Sequence, residues 1–64
     1  MVVILYAAMG RELSRLGSPS PSYALRALAN RLIEGTTPEG FLYAICYDEN
    51  GKDLWRYDQY LGKN

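Results

Sequence analysis

Asn50-Gly51 stands between two runs of strand-favouring residues, FLYAICYD at 41–48 and DLWRYDQYL at 53–61. Asn-Gly in that setting is the strongest short hairpin signal. Both central residues of a type I′ turn need positive φ, which glycine adopts freely and asparagine tolerates. The sequence therefore predicts a C-terminal β-hairpin with strands at about 41–48 and 53–60. If the turn has two residues, Glu49 pairs with Lys52 and the remaining register is set. Cys46 then faces Trp55, Ala44 faces Tyr57 and Leu42 faces Gln59, all on one side with Leu61. On the other side Tyr47 faces Leu54, Ile45 faces Arg56, Tyr43 faces Asp58 and Phe41 faces Tyr60.

A helix is equally well signed over about 21–34. Ser20 suits the N-cap, and Pro21 suits the first helical position, where its missing N–H costs nothing. Leu25, Leu28, Ala29 and Leu32 recur at i, i+3, i+4 and i+7, the spacing of one apolar stripe. Gly35 is placed to end the helix in a left-handed conformation. The expected arrangement is this helix packed on the first side of the hairpin.

The first sixteen residues fit two readings. Val2, Val3 and Ile4 are β-branched and favour a strand over about 2–8, followed by a short helix at 9–16 carrying Met9, Leu13 and Leu16 on one face. Alternatively, residues 2–16 form one long helix, giving an αα-hairpin before the β-hairpin. Gly10 would cost that long helix about 1 kcal/mol relative to alanine, so strand then helix is preferred. Both readings make a single α+β domain of residues 1–64, with 62–64 frayed.

Size and composition limit what such a domain can do. A chain of 64 residues buries only about 60% of the surface its unfolded form exposes. Histidine is absent and Cys46 is the only cysteine, so neither a disulfide nor a zinc cluster reinforces the core. Oligomerisation or a partner surface is then a natural extra source of stability. A lone cysteine fits a reducing compartment. The apolar opening MVVILYAAMG lacks a basic n-region and is shorter than the ~20 residues of a membrane span. These features lead to the expectation of a soluble, cytoplasmic protein that uses no membrane. Formal charges cancel, but unevenly. Residues 1–38 carry four arginines against two glutamates, whereas residues 39–60 carry five carboxylates against Lys52 and Arg56.

Catalytic equipment is sparse. Histidine triads and histidine metal ligands are excluded, and the glycines stand too far apart for a phosphate-cradling loop. Cys46, mid-strand opposite Trp55, reads as a small buried hydrophobe rather than a nucleophile. Asp48, Glu49 and Asp53 cluster at the hairpin tip without calcium-loop spacing. Ser18, Ser20 and Ser22 have no base beside them in sequence. No catalytic residue, metal site or cofactor is expected.

What remains is the second side of the hairpin. If the helix takes the first side, Phe41, Tyr43, Tyr47, Arg56 and Tyr60 form an aromatic surface for another protein, unless the N-terminal segment covers it. The expected function is a non-enzymatic protein-interaction module, a small regulator or inhibitor of a larger protein or a minor subunit of an assembly. A homodimer through the same face, or through the first strand as an edge, is a variant of it. The alternative is a small RNA- or single-strand-binding module, stacking bases on the aromatic residues beside flanking arginines. The acidic hairpin half opposes that alternative. An enzyme would need a composite site completed by its partner.

Overall fold

The computed structural model describes residues 1–59. Four strands form one antiparallel sheet: β1 (Val2–Tyr6), β2 (Glu12–Gly17), β3 (Tyr43–Tyr47) and β4 (Asp53–Asp58). Their order is β2-β1-β3-β4, and one helix, α1 (Pro21–Glu34), connects the two hairpins. The architecture is α+β, with an N-terminal strand and a C-terminal hairpin as the sequence suggests. Residues 60–64, including Tyr60 and the tail expected to fray, lie outside the described residues. Among the described residues no helix is long and apolar enough to cross a membrane.

Both ends of α1 match the sequence signals. Ser20 Oγ accepts the Tyr23 N–H at 3.1 Å. Gly35 takes φ 72°, and the N–H groups of Gly35 and Thr36 donate to the carbonyls of Leu32 and Arg31, a Schellman ending. The buried stripe differs from the expected one. Ala24 and Leu28 are buried with Leu32 against them, while Leu25 is 49% exposed and Ala29 faces solvent. The helix carries apolar residues around most of a wide arc, so spacing alone does not choose which edge meets the sheet. The sheet contributes Val3, Leu5, Ala44 and Cys46 to the same cluster. Small residues at 24, 44 and 46 let the two layers approach closely, and Trp55 Nε1 ties the sheet to the helix start by donating to the Pro21 carbonyl at 3.0 Å.

The segment expected as a short helix at 9–16 is the second strand of an N-terminal hairpin. The chain reverses through a 3-10 turn, Ala8–Gly10, with φ of 64° at Met9 and 74° at Gly10 and the Arg11 N–H donating to the Ala8 carbonyl. Two successive positive φ values match a type I′ turn, with methionine in the place where asparagine is usual. A bulge accounts for the helical spacing of the leucines in β2. Leu5 pairs with Ser14 but Tyr6 pairs with Glu12, leaving Leu13 as the extra residue. A regular strand would put Leu13 and Leu16 on opposite faces; the bulge lets both pack on the core. An eight-residue helix is marginal alone, whereas β2 satisfies the free edge of β1 with ladder hydrogen bonds.

The C-terminal hairpin has the expected register from Cys46–Trp55 outward, through Ala44–Tyr57, Ile45–Arg56 and Tyr43–Asp58. The turn itself is one residue longer. Asp48 pairs with Lys52 through the Asp48 N–H and the Lys52 carbonyl at 2.9 Å, and Gly51 sits at φ 82°. The added turn residue is offset by a bulge, since Tyr47 pairs with Asp53 rather than Leu54. Phe41 also departs from expectation. It precedes β3, donates its N–H to the Pro38 carbonyl at 3.1 Å, and turns into the core at 5% exposure. Its ring stacks on Tyr57 at 6.4 Å.

Met9 is fully exposed and holds a left-handed conformation that costs an L-residue roughly 1 kcal/mol. Met9→Gly should therefore raise stability by about 0.5–1 kcal/mol, read as a higher Tm. Phe41→Ala should lose about 3–5 kcal/mol, the loss expected from a core aromatic.

Candidate functional site

Pairing across all four strands sets the residues of the face opposite α1 into three rows. The first row reads Glu12, Tyr6, Tyr43, Asp58; the second Arg15, Ile4, Ile45, Arg56; the third Gly17, Val2, Tyr47, Asp53. Aromatic and aliphatic side chains occupy the two central strands, and charged ones occupy the edge strands. The helix lies on the other side, and no element among the described residues packs over this face. The N-terminal segment does not cover it; that segment joins the sheet and widens the face by two strands.

The side chains of the face hold one another in place. The Tyr6 and Tyr43 rings stack at 4.9 Å with an 18° interplanar angle. The Arg56 guanidinium lies 4.5 Å from the centre of the Tyr43 ring and 4.0 Å from Asp58. Tyr6 and Tyr47, in the outer rows, share a hydrogen bond between their hydroxyls at 2.9 Å. Ile4 lies between them in register and is only 7% exposed, so the tyrosines roof it. On the far edge Arg15 donates twice to Glu12, at 2.7 and 2.9 Å, and holds its carboxyl below the usual range. The result is an ordered amphipathic surface with an aromatic centre and a rim of both charge signs.

Of the residues singled out from sequence, Tyr43, Tyr47 and Arg56 share this face. Phe41 belongs to the core instead, and Tyr60 lies outside the described residues. Tyr6, Ile4, Glu12 and Arg15 complete the face and were not assigned to it from sequence. The unbroken apolar run at 2–8 fits a strand paired on both edges, but nothing local in the sequence says which strands flank it or that Glu12 and Arg15 join its face. The first strand is accordingly no edge: it pairs with β2 and β3, and the free edges belong to β2 and β4.

The other candidates resolve into structural roles. The Cys46 thiol is buried in the core and burial pushes it up, the wrong direction for a nucleophile. Asp48 accepts the N–H groups of Asn50 and Lys52 at 2.8 and 2.9 Å, shaping the turn. Among the described residues no three His, Cys, Asp or Glu stand together as a metal site. Ser20 caps α1, and Ser18 Oγ donates to the Ser20 carbonyl.

Fold and face together define a small one-helix, four-stranded antiparallel α+β protein with one sheet face open. Comparison of the chain with protein-family models, with curated proteins and with solved structures finds no match.

The Tyr6 hydroxyl is pushed up to about 12, first by its hydrogen bond with Tyr47 and then by burial. A folded-state value above that of the unfolded chain means the contact stabilises fully below about pH 10 and is lost as pH rises toward 12. Tyrosinate absorbance should show a tyrosine titrating at about 12. Tyr47→Phe should bring that group back toward 10 and flatten the stability loss at high pH.

Proposed function

We propose that this chain is a non-enzymatic protein-interaction module that binds through the open face of its sheet, as a small regulator or inhibitor of a larger protein or as a minor subunit of an assembly. One observation carries the reading. A four-stranded face with tyrosine and isoleucine at its centre and charges at its rim has no described element packed on it. Apolar surface of that kind on a small protein usually marks an interaction site. A central cluster rich in tyrosine with arginine beside it, inside a polar rim, matches the composition of protein–protein interfaces. The stack of Arg56, Tyr43 and Tyr6 is already formed, so little side-chain freedom remains to be lost on binding.

Stacked tyrosines beside arginine also suit single-stranded nucleic acid. Here Glu12 and Asp58 share the rim with Arg15 and Arg56, and carboxylates at those positions oppose a phosphate backbone. A protein partner is therefore favoured.

The test is capture of a partner by the wild-type chain and by the Tyr43→Ser/Tyr47→Ser variant, at low and at high salt. Tyr43→Ser removes the stack on Tyr6 and Tyr47→Ser the hydroxyl hydrogen bond to Tyr6, each worth about 0.5–1.5 kcal/mol, so the variant should still unfold cooperatively while losing its partner. Wild-type capture should survive high salt. Capture that disappears with salt or nuclease would indicate nucleic acid, and a variant as unstable as Phe41→Ala would place the tyrosines in a core and end the assignment.

A further inference from the structure

We propose that the partner seated on the open face is a second copy of this chain, packed face to face about a twofold axis that runs across the strands. The proposal rests on reading the open face as an interaction surface and adds its occupant and geometry. The pattern of charge on the face carries it. In the first row both rim residues are acidic, Glu12 and Asp58; in the second row both are basic, Arg15 and Arg56. The face thus bears opposite charges in adjacent rows, at both of its edges.

Two sheets packed face to face keep their strands nearly aligned, and a twofold interface is self-complementary. Only two in-plane axes satisfy both conditions. An axis along the strands lays β2 over β4 of the second copy, setting Glu12 over Asp58 and Arg15 over Arg56. Those are like-charge contacts, which disfavour a complex strongly. An axis across the strands, midway between the first two rows, lays each strand over its own copy. Glu12 then meets Arg15 of the second copy and Asp58 meets Arg56 of the second copy, each contact occurring twice. At the centre Tyr6 and Tyr43 lie over Ile4 and Ile45 of the second copy, joining aromatic to aliphatic surface. Glu12 with Arg15, and Arg56 with Asp58, already pair along their own strands; across this axis each gains a second opposite charge, while Asp53 of the third row lies outside the overlap.

The area sets the strength to expect. Two overlapping rows across four strands at ~4.8 Å spacing cover roughly 19 by 13 Å, about 500 Å² over both copies, below the ~1,000 Å² of a stable interface and in the range of weak, transient ones. The dimer should therefore be reversible and depend on concentration, with the rim charges deciding register and the central residues supplying affinity. It would also roof the one side of the sheet that α1 leaves open.

Sedimentation over a hundredfold concentration range, with cooperative melting confirmed for each variant, tests the proposal. The substituted rim residues are exposed or half-exposed, outside the core. Wild type should pass from monomer to dimer. In the two overlapping rows, Arg15→Glu/Arg56→Glu makes the rim acidic and Glu12→Arg/Asp58→Arg makes it basic. Each alone should weaken self-association at least about tenfold, and an equimolar mixture should restore a dimer containing one of each. Glu12→Arg/Arg15→Glu exchanges signs on β2 only and should leave the affinity within about threefold, because both contacts there remain opposite in sign. A tighter dimer from that exchange would mean the axis runs along the strands and would overturn the geometry. A wild-type chain that stays monomeric throughout overturns the proposal; tyrosine-dependent capture of another protein would then still stand. A dimer indifferent to all the rim variants also overturns it, locating self-association elsewhere.

Discussion

The fold depends on β1 being paired on both of its edges. Val2–Tyr6 is apolar at every position, so it can bury one face against α1 and line the open face with the other. It pairs with β2 through a local turn and with β3 across the whole length of α1. That second pairing joins two hairpins that would each be marginal alone. It also assembles the core, because Val3 and Leu5 of β1 meet Ala44 and Cys46 of β3 beneath Ala24 and Leu28. Burying side chains the size of Val3 and Leu5 contributes about 1.5–3 kcal/mol each, a large share of what so small a domain can hold.

The same pairing makes the face. Placing β1 beside β3 brings Tyr6 onto Tyr43 and Ile4 beside Ile45, joining aromatic surface from residues far apart in the chain. The edge strands then carry the charges, and each also carries a bulge, at Leu13 and at Leu54. Charged and bulged edges are poor templates for adding another strand. Such edges disfavour strand addition, and the face opposite α1 is left without a described element packed on it.

The turns show how backbone geometry feeds these outcomes. Asp48, by accepting two N–H groups within its own turn, supports a loop one residue longer than Asn-Gly alone requires. The Leu54 bulge returns β4 to register, so Trp55 and Tyr57 still reach the core and Arg56 still reaches Tyr43. In the first hairpin, Met9 and Gly10 reverse the chain, and the Leu13 bulge restores the alternation that keeps Arg15 and Glu12 on the open face. Both bulges are how the two edge strands reconcile loop length with a single buried side.

The sequence by itself determined the helix ends and the site of the second hairpin. Ser20, Pro21 and Gly35 delimit α1, Asn50-Gly51 closes the second hairpin, and Cys46–Trp55 opens its register. Each rests on contacts within a few residues, where side-chain chemistry and backbone preference act directly. The tertiary structure decided the rest. Met9, Leu13 and Leu16 keep helical spacing, and only the free edge of β1 made them a strand with a bulge. Leu25 and Ala29 fit the helix stripe, yet the small residues at 24, 44 and 46 turned the helix onto another arc. Phe41 alternates onto the open face on paper, and the turn at Pro38 put it in the core. Tyr43, Tyr47 and Arg56 were legible as one surface because a hairpin register fixed them. Tyr6, Ile4, Glu12 and Arg15 were not, because a pairing across α1 costs loop-closure entropy that no local signal in the sequence records.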